Sequence, residues 1–141
     1  MGLYQFVAFL HLVGAVLLVG YLLFWAIMGL ALGRRFAPGE VLRYLDIVAA
    51  SRWPHVLVPW RLRLPWPMVG WAMLAFMLLS GLLLLGIGPV GLDGILIAKL
   101  LLVVALVAVH HLLARRPRPP FAYAGLGLGL LVVALSAHLL R

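Results

Sequence analysis

The chain has 141 residues, of which 67% are hydrophobic and 10% charged, and its formal net charge is +8. A soluble domain carries about 25% charged residues, so this composition, with a mean hydropathy of +1.22, excludes an ordinary soluble fold and assigns an integral membrane protein. No cysteine is present, which excludes disulfides, thiolate-held metals and covalent haem attachment.

The basic excess is not read as nucleic-acid affinity. Every arginine lies outside the apolar runs or at the end of the chain, where it serves as a topology signal or a lipid-headgroup contact; only Lys99 falls within a run. The length suits a single transmembrane domain over 1–141 with no separate extramembrane domain.

The first apolar run, 3–33, has no basic segment before it and exceeds the roughly 7–15 residues of a signal-peptide core, so it is expected to stay as a membrane helix. It is also longer than the roughly 20 residues a bilayer requires, which predicts tilt or projection. A short amphipathic helix is expected over 40–50, with Val41, Tyr44, Leu45 and Val48 on one face and Glu40, Arg43 and Asp46 elsewhere. Trp53, Trp60, Trp66 and Trp71 suit an interfacial aromatic belt. Pro65 and Pro67 open a second span at 66–88, where a missing N–H is tolerated. Gly86, Gly88, Pro89, Gly91 and Gly94 form a short turn into a third span, 94–114. Pro117, Pro119 and Pro120 break the chain before a fourth, 121–140.

The fold class is therefore an all-α bundle of four transmembrane helices. Arg34, Arg35, Arg43, Arg52, Arg61 and Arg63 follow span one, and Arg115, Arg116 and Arg118 follow span three. The positive-inside rule places both loops, and the amphipathic helix, on the cytoplasmic side of a bacterial-type inner membrane, with both termini outside. Gly125 and Gly129, like Gly29 and Gly33, form GxxxG pairs that favour close helix contact.

Protonatable groups inside spans are costly and mark ligands or cavities. Counted from the outer ends at about 1.5 Å per residue, His11 lies about 12 Å deep, Lys99 about 7 Å and His138 about 5 Å. These three are candidates for one outer-leaflet site. His55, His110 and His111 fall toward the inner face. Interfacial solvation accounts for His55 and His111, snorkelling is open for Lys99 and His138, and capping of a helix end or a headgroup bond is open for His110. His11 and His110 differ by about 12 Å in this register, which disfavours them as opposite ligands of one group.

Histidine nitrogen suits haem iron, copper and zinc. Non-covalent haem b fits a cysteine-free bundle, whose facing helices supply axial ligands across the core. Copper is the lesser expectation, with His11 joined by Met73 and Met77, and with Met68 nearby; packing alone also accounts for these methionines. The acids Glu40, Asp46 and Asp93 all lie outside the spans, and Ser51, Ser80 and Ser136 have no histidine–acid constellation. Carboxylate, triad and proton-relay chemistry therefore find no support.

The run Lys99-Leu100-Leu101-Leu102-Val103, followed by Val109-His110-His111-Leu112-Leu113-Ala114-Arg115, resembles the lysine-to-histidine span of HemJ-type protoporphyrinogen oxidases. Phe9-Leu10-His11-Leu12-Val13-Gly14 with Gly20 is similar to the first helix of that family and of CopD-type membrane domains. The resemblance implies a small helical membrane protein holding haem b, with His11 and Lys99 as axial ligands and His110 following. The family's Tyr-Leu-Pro-Arg stretch after helix one has no counterpart at Tyr21-Leu22-Leu23-Phe24. The expected function is electron transfer or quinone- or porphyrin-linked oxidation, with His11 and Lys99 as the iron ligands and His110 and His138 as further cofactor-binding candidates. The alternatives are a small subunit of a larger membrane complex, respiratory or photosynthetic, or a homo-oligomer, and a copper-handling protein.

Overall fold

The computed structural model describes residues 2–53, 64–88 and 94–139, with side chains at 2–51, 65–88 and 94–136. Its helices are α1 (Leu3–Gly33), α2 (Pro38–Ala50), α3 (Trp66–Ile87), α4 (Gly94–Arg115) and α5 (Pro119–Leu139). Two residues on each side, Arg52–Trp53 as β1 and Leu64–Pro65 as β2, pair antiparallel between α2 and α3.

Four helices, α1, α3, α4 and α5, are long and apolar enough to cross a membrane. They are apolar all round, because the face turned away from the core meets hydrocarbon rather than water. Phe6, Phe9, Leu82, Leu101, Val104 and Leu131 are among the large side chains left on that outer face. At 31 residues, α1 is about 46 Å long.

The fourth span begins earlier than expected. Pro119 and Pro120 form the first turn of α5 instead of breaking the chain before it. A first-turn residue has no intrahelical N–H bond to lose, and the ring's fixed φ suits the helix. In α2, Pro38 takes the first position and the Glu40 carboxylate accepts the Ala37 N–H at 3.0 Å. Val41 and Leu45 of α2 are buried against the bundle, whereas Tyr44, expected on the same face, is 42% exposed.

Helix α1 packs against α3 and α5, and α4 packs against α5 and more sparsely against α3. The arrangement is a ring in which α1 and α4 face each other across the diagonal. Gly88 meets Tyr4, and Gly29 meets Pro119. The N-terminal end of α1 therefore sits level with the C-terminal end of α3, and the opposite end of α1 with the start of α5. Gly125 and Gly129 are buried against Leu22, with Val109 and Val19 beside them, as a close-contact GxxxG pair. The other pair divides: Gly29 packs on Pro119, while Gly33 meets nothing.

Each helix turns one stripe inward. Along α4 it runs Leu96, Lys99, Val103, Leu106, His110, Leu113, alternating steps of three and four; along α5 it runs Ala122, Gly125, Gly129, Val132, Ser136. Leu18, Leu22, Leu74 and Leu106 fill the middle of the bundle and are almost fully buried.

Candidate functional site

His11 lies on the inward stripe of α1, between Val7 and Gly14, and is half-buried. Its Nδ1 is 3.0 Å from the Met77 carbonyl oxygen and 3.1 Å from Ser80 Oγ, both on α3. A carbonyl only accepts, so Nδ1 carries the hydrogen and donates it. The Ser80 hydroxyl donates back to its own helix, at 2.9 Å from the Phe76 oxygen and 3.0 Å from that of Met77. It therefore offers a lone pair to His11. Nε2 is left with its own lone pair free.

Gly81 supplies room at this point, since a Cβ there would stand 3.1 Å from His11 Cε1. Lys99 is half-buried on the inward stripe of α4.

Register places the two residues at one depth. His110 of α4 packs against Tyr21 of α1, with ring centroids 5.7 Å apart. From that shared level, Lys99 lies about 16 Å back along α4 and His11 about 15 Å back along α1. Counted from the Gly29–Pro119 contact, Ser136 of α5 lies about 26 Å along and His11 about 27 Å. One level of the bundle thus takes a polar residue from each long helix: His11, Ser80, Lys99 and Ser136. The Ser136 hydroxyl bonds the Val132 carbonyl at 2.7 Å. The side chain of His138, two residues beyond Ser136, lies outside the described residues.

The second level is built around Tyr21. His110 is fully buried and neither of its ring nitrogens has a hydrogen-bond partner. Its neighbours are the rings of Tyr21 and of Trp71, the latter 4.9 Å away at 78°. Tyr21 in turn meets Trp66 at 6.1 Å and Trp25 at 6.4 Å. The Trp25 indole N–H is buried without a hydrogen-bond partner. Gly70 makes this contact possible, because a Cβ there would fall 2.6 Å from the Tyr21 ring and closer still to His110.

His110 is buried without a hydrogen-bond partner, so it is neither a helix-end cap nor a headgroup contact. His111 points outward and is exposed, with its ring 6.1 Å from Trp71. His55 lies outside the described residues, as does Trp60. Met77 is buried in the apolar core with Met73 packed against it, while Met68 is 54% exposed. Among the described residues no group of three or more histidine or acidic side chains is gathered as a metal cage.

The sequence motifs set Ser80 and Ser136 aside, since neither belongs to a triad, and passed over Gly70, since glycine carries no chemistry. Their signal is positional. Ser80 stands three residues beyond Met77 on an inward stripe that includes Gly70 and Met73, and Ser136 extends the stripe of α5. No protein-family model, curated protein or solved structure matches the chain.

Proposed function

We propose that this chain is a haem b-binding membrane protein of electron transfer or membrane-linked oxidation, related to the HemJ and CopD types, in which His11 and Lys99 would hold the iron. The observation that carries this reading is the hydrogen bond from His11 Nδ1 to the Met77 carbonyl and Ser80. Ligating histidines characteristically donate their other ring N–H to a carbonyl, which fixes tautomer and ring orientation and raises ligand basicity. Here that bond leaves Nε2 as the ligating nitrogen.

Lys99 supports the reading by standing at the same depth on the diagonally opposite helix, facing inward. Its amine must give up a proton to ligate, and ligation then replaces a buried charge with a bond. The donor set, two nitrogens without thiolate or carboxylate, suits iron in a porphyrin. A bound haem b supplies one-electron uptake and release. The chain's own residues hold it across the bundle, keep bulk water out with the apolar outer faces, and orient the imidazole through Ser80 and the Met77 carbonyl. Orientation follows the arginines: the loops after α1 and α4 face the cytoplasm of a bacterial-type inner membrane, and both termini face outward.

A reduced-minus-oxidised visible spectrum of detergent-purified protein, with pyridine haemochrome quantification, tests the reading. One b-type haem per chain is expected, with loss or strong change of the Soret band in His11→Ala. An unchanged spectrum in that variant removes His11 as a ligand. Absence of haem from protein made with ample haem supply overturns the reading.

A further inference from the structure

His110 has no role in the haem reading, and it is the most isolated polar group in the described bundle. A neutral imidazole carries one donor and one acceptor. Both are sealed from solvent here without partners, and each such group is costly to leave unmet. Protein folding alone gives no reason to place it there, because a leucine would fill the same stripe position between Leu106 and Leu113 without that cost.

The surroundings specify what would meet it. The walls are flat rings, Tyr21 on one side and Trp71 on the other, both edge-on to the imidazole, with Trp66 beyond Tyr21. Such walls favour a planar partner. Among the described residues no group of three or more histidine or acidic side chains gathers at this level, and His11 is about 15 Å away along the bundle, too far to complete a shared haem.

Access comes from the bilayer. Helices α3 and α4 form the most sparsely packed seam of the ring, and Trp71 stands on it, 36% exposed, covering His110. A ligand arriving there is lipid-soluble, flat, and carries an oxygen acceptor for the imidazole N–H. We propose that His110 donates a hydrogen bond to a carbonyl of a lipid-soluble quinone, which enters between α3 and α4 by displacing the Trp71 ring. The site stands at its own level of the bundle and does not require that His11 hold haem.

The test is calorimetric titration of the detergent-purified full chain with duroquinone. Saturable binding of one molecule per chain is expected. Durene, the same tetramethyl ring without the oxygens, should bind at least about tenfold more weakly, the loss that goes with one buried hydrogen bond. His110→Leu should weaken duroquinone binding by a similar factor, and His110→Gln, which retains an N–H donor, should recover part of it. His11→Ala should leave it unchanged, so failure of the haem reading does not register in this assay. The proposal is overturned if duroquinone gives no saturable heat, if durene binds as well, or if His110→Leu binds with unaltered affinity. The duroquinone–durene comparison uses the unaltered protein and decides the matter even if the leucine variant does not fold.

Discussion

Gly70→Ala sets two opposing effects against each other at one position. Replacing glycine by alanine inside a helix ordinarily stabilises by about 0.5–1 kcal/mol, because the unfolded chain loses freedom. At Gly70 the new Cβ would lie 2.6 Å from Cε1 and Cζ of Tyr21 and closer still to His110 Cε1. Real Cβ atoms do not approach so near, and the obstacles are rigid rings wedged between helices. Forcing extra volume into a packed core costs about 1–3 kcal/mol. The clash should therefore outweigh the propensity gain.

Gly127→Ala is the matched control, since a Cβ at Gly127 meets nothing within 4 Å. The gap between the two variants isolates the clash at about 1–3 kcal/mol. At roughly 2–4 °C per kcal/mol for a chain of this size, their apparent melting temperatures should differ by about 2–12 °C. Tryptophan fluorescence during heating in detergent reads the difference. Equal melting temperatures, or Gly70→Ala melting above Gly127→Ala, would refute the close approach of His110 and Tyr21 over Gly70.

Ser80→Ala removes one of the two acceptors at His11 Nδ1 but leaves the Met77 carbonyl at 3.0 Å. The cost should stay below about 1.5 kcal/mol in thermal unfolding, and a haem bound at His11 should be retained. His110→Leu removes two unpaired nitrogens at nearly constant shape. The ligand-free protein should be as stable as the parent or more stable by about 1–2 kcal/mol, and a clear loss would mean His110 already has a partner. Leu45→Asp places a carboxylate where α2 is 1% exposed. Helix α2 should lift from the bundle, and trypsin cleavage after Arg43, followed by mass spectrometry, should accelerate about tenfold or more.

The spans and the presence of a short helix between the first two were legible because apolar length and turn residues are local signals. Leu3–Gly33 matches its expected bounds for that reason, while the start of α5 shifted because proline both ends helices and begins them. Counting residues from the span ends left His11 and Lys99 about 5 Å apart in depth, whereas counting along the packed helices brings them to about the same level. What counting could not supply was facing. His110 and His111 are adjacent in sequence, yet one is buried against Tyr21 and the other is exposed, a difference of about 100° around the helix that only packing against α1 and α3 decides. Ser80 was illegible for the same reason: its chemistry lies in what it faces across the α1–α3 contact.

Lys99 carries the sharpest test of the outer level. No acidic residue occurs in any of the four long helices, so no carboxylate within the spans neutralises it. Its place on the inward stripe of α4 puts it at the level of His11, with no carboxylate of the spans as counter-ion. Without a ligand, such a cation weakens the bundle. Lys99→Met keeps the length and removes the charge, so the haem-free variant should melt at or above the parent. With haem added, the order should reverse. Ligand that binds the folded state raises stability according to its affinity, and the variant lacks one of the two proposed iron ligands. A stabilised haem-free variant together with a smaller haem-induced shift is the expected pair. If Lys99→Met instead melts lower without haem and gains as much as the parent with it, the lysine has a structural role and iron must take its second ligand elsewhere.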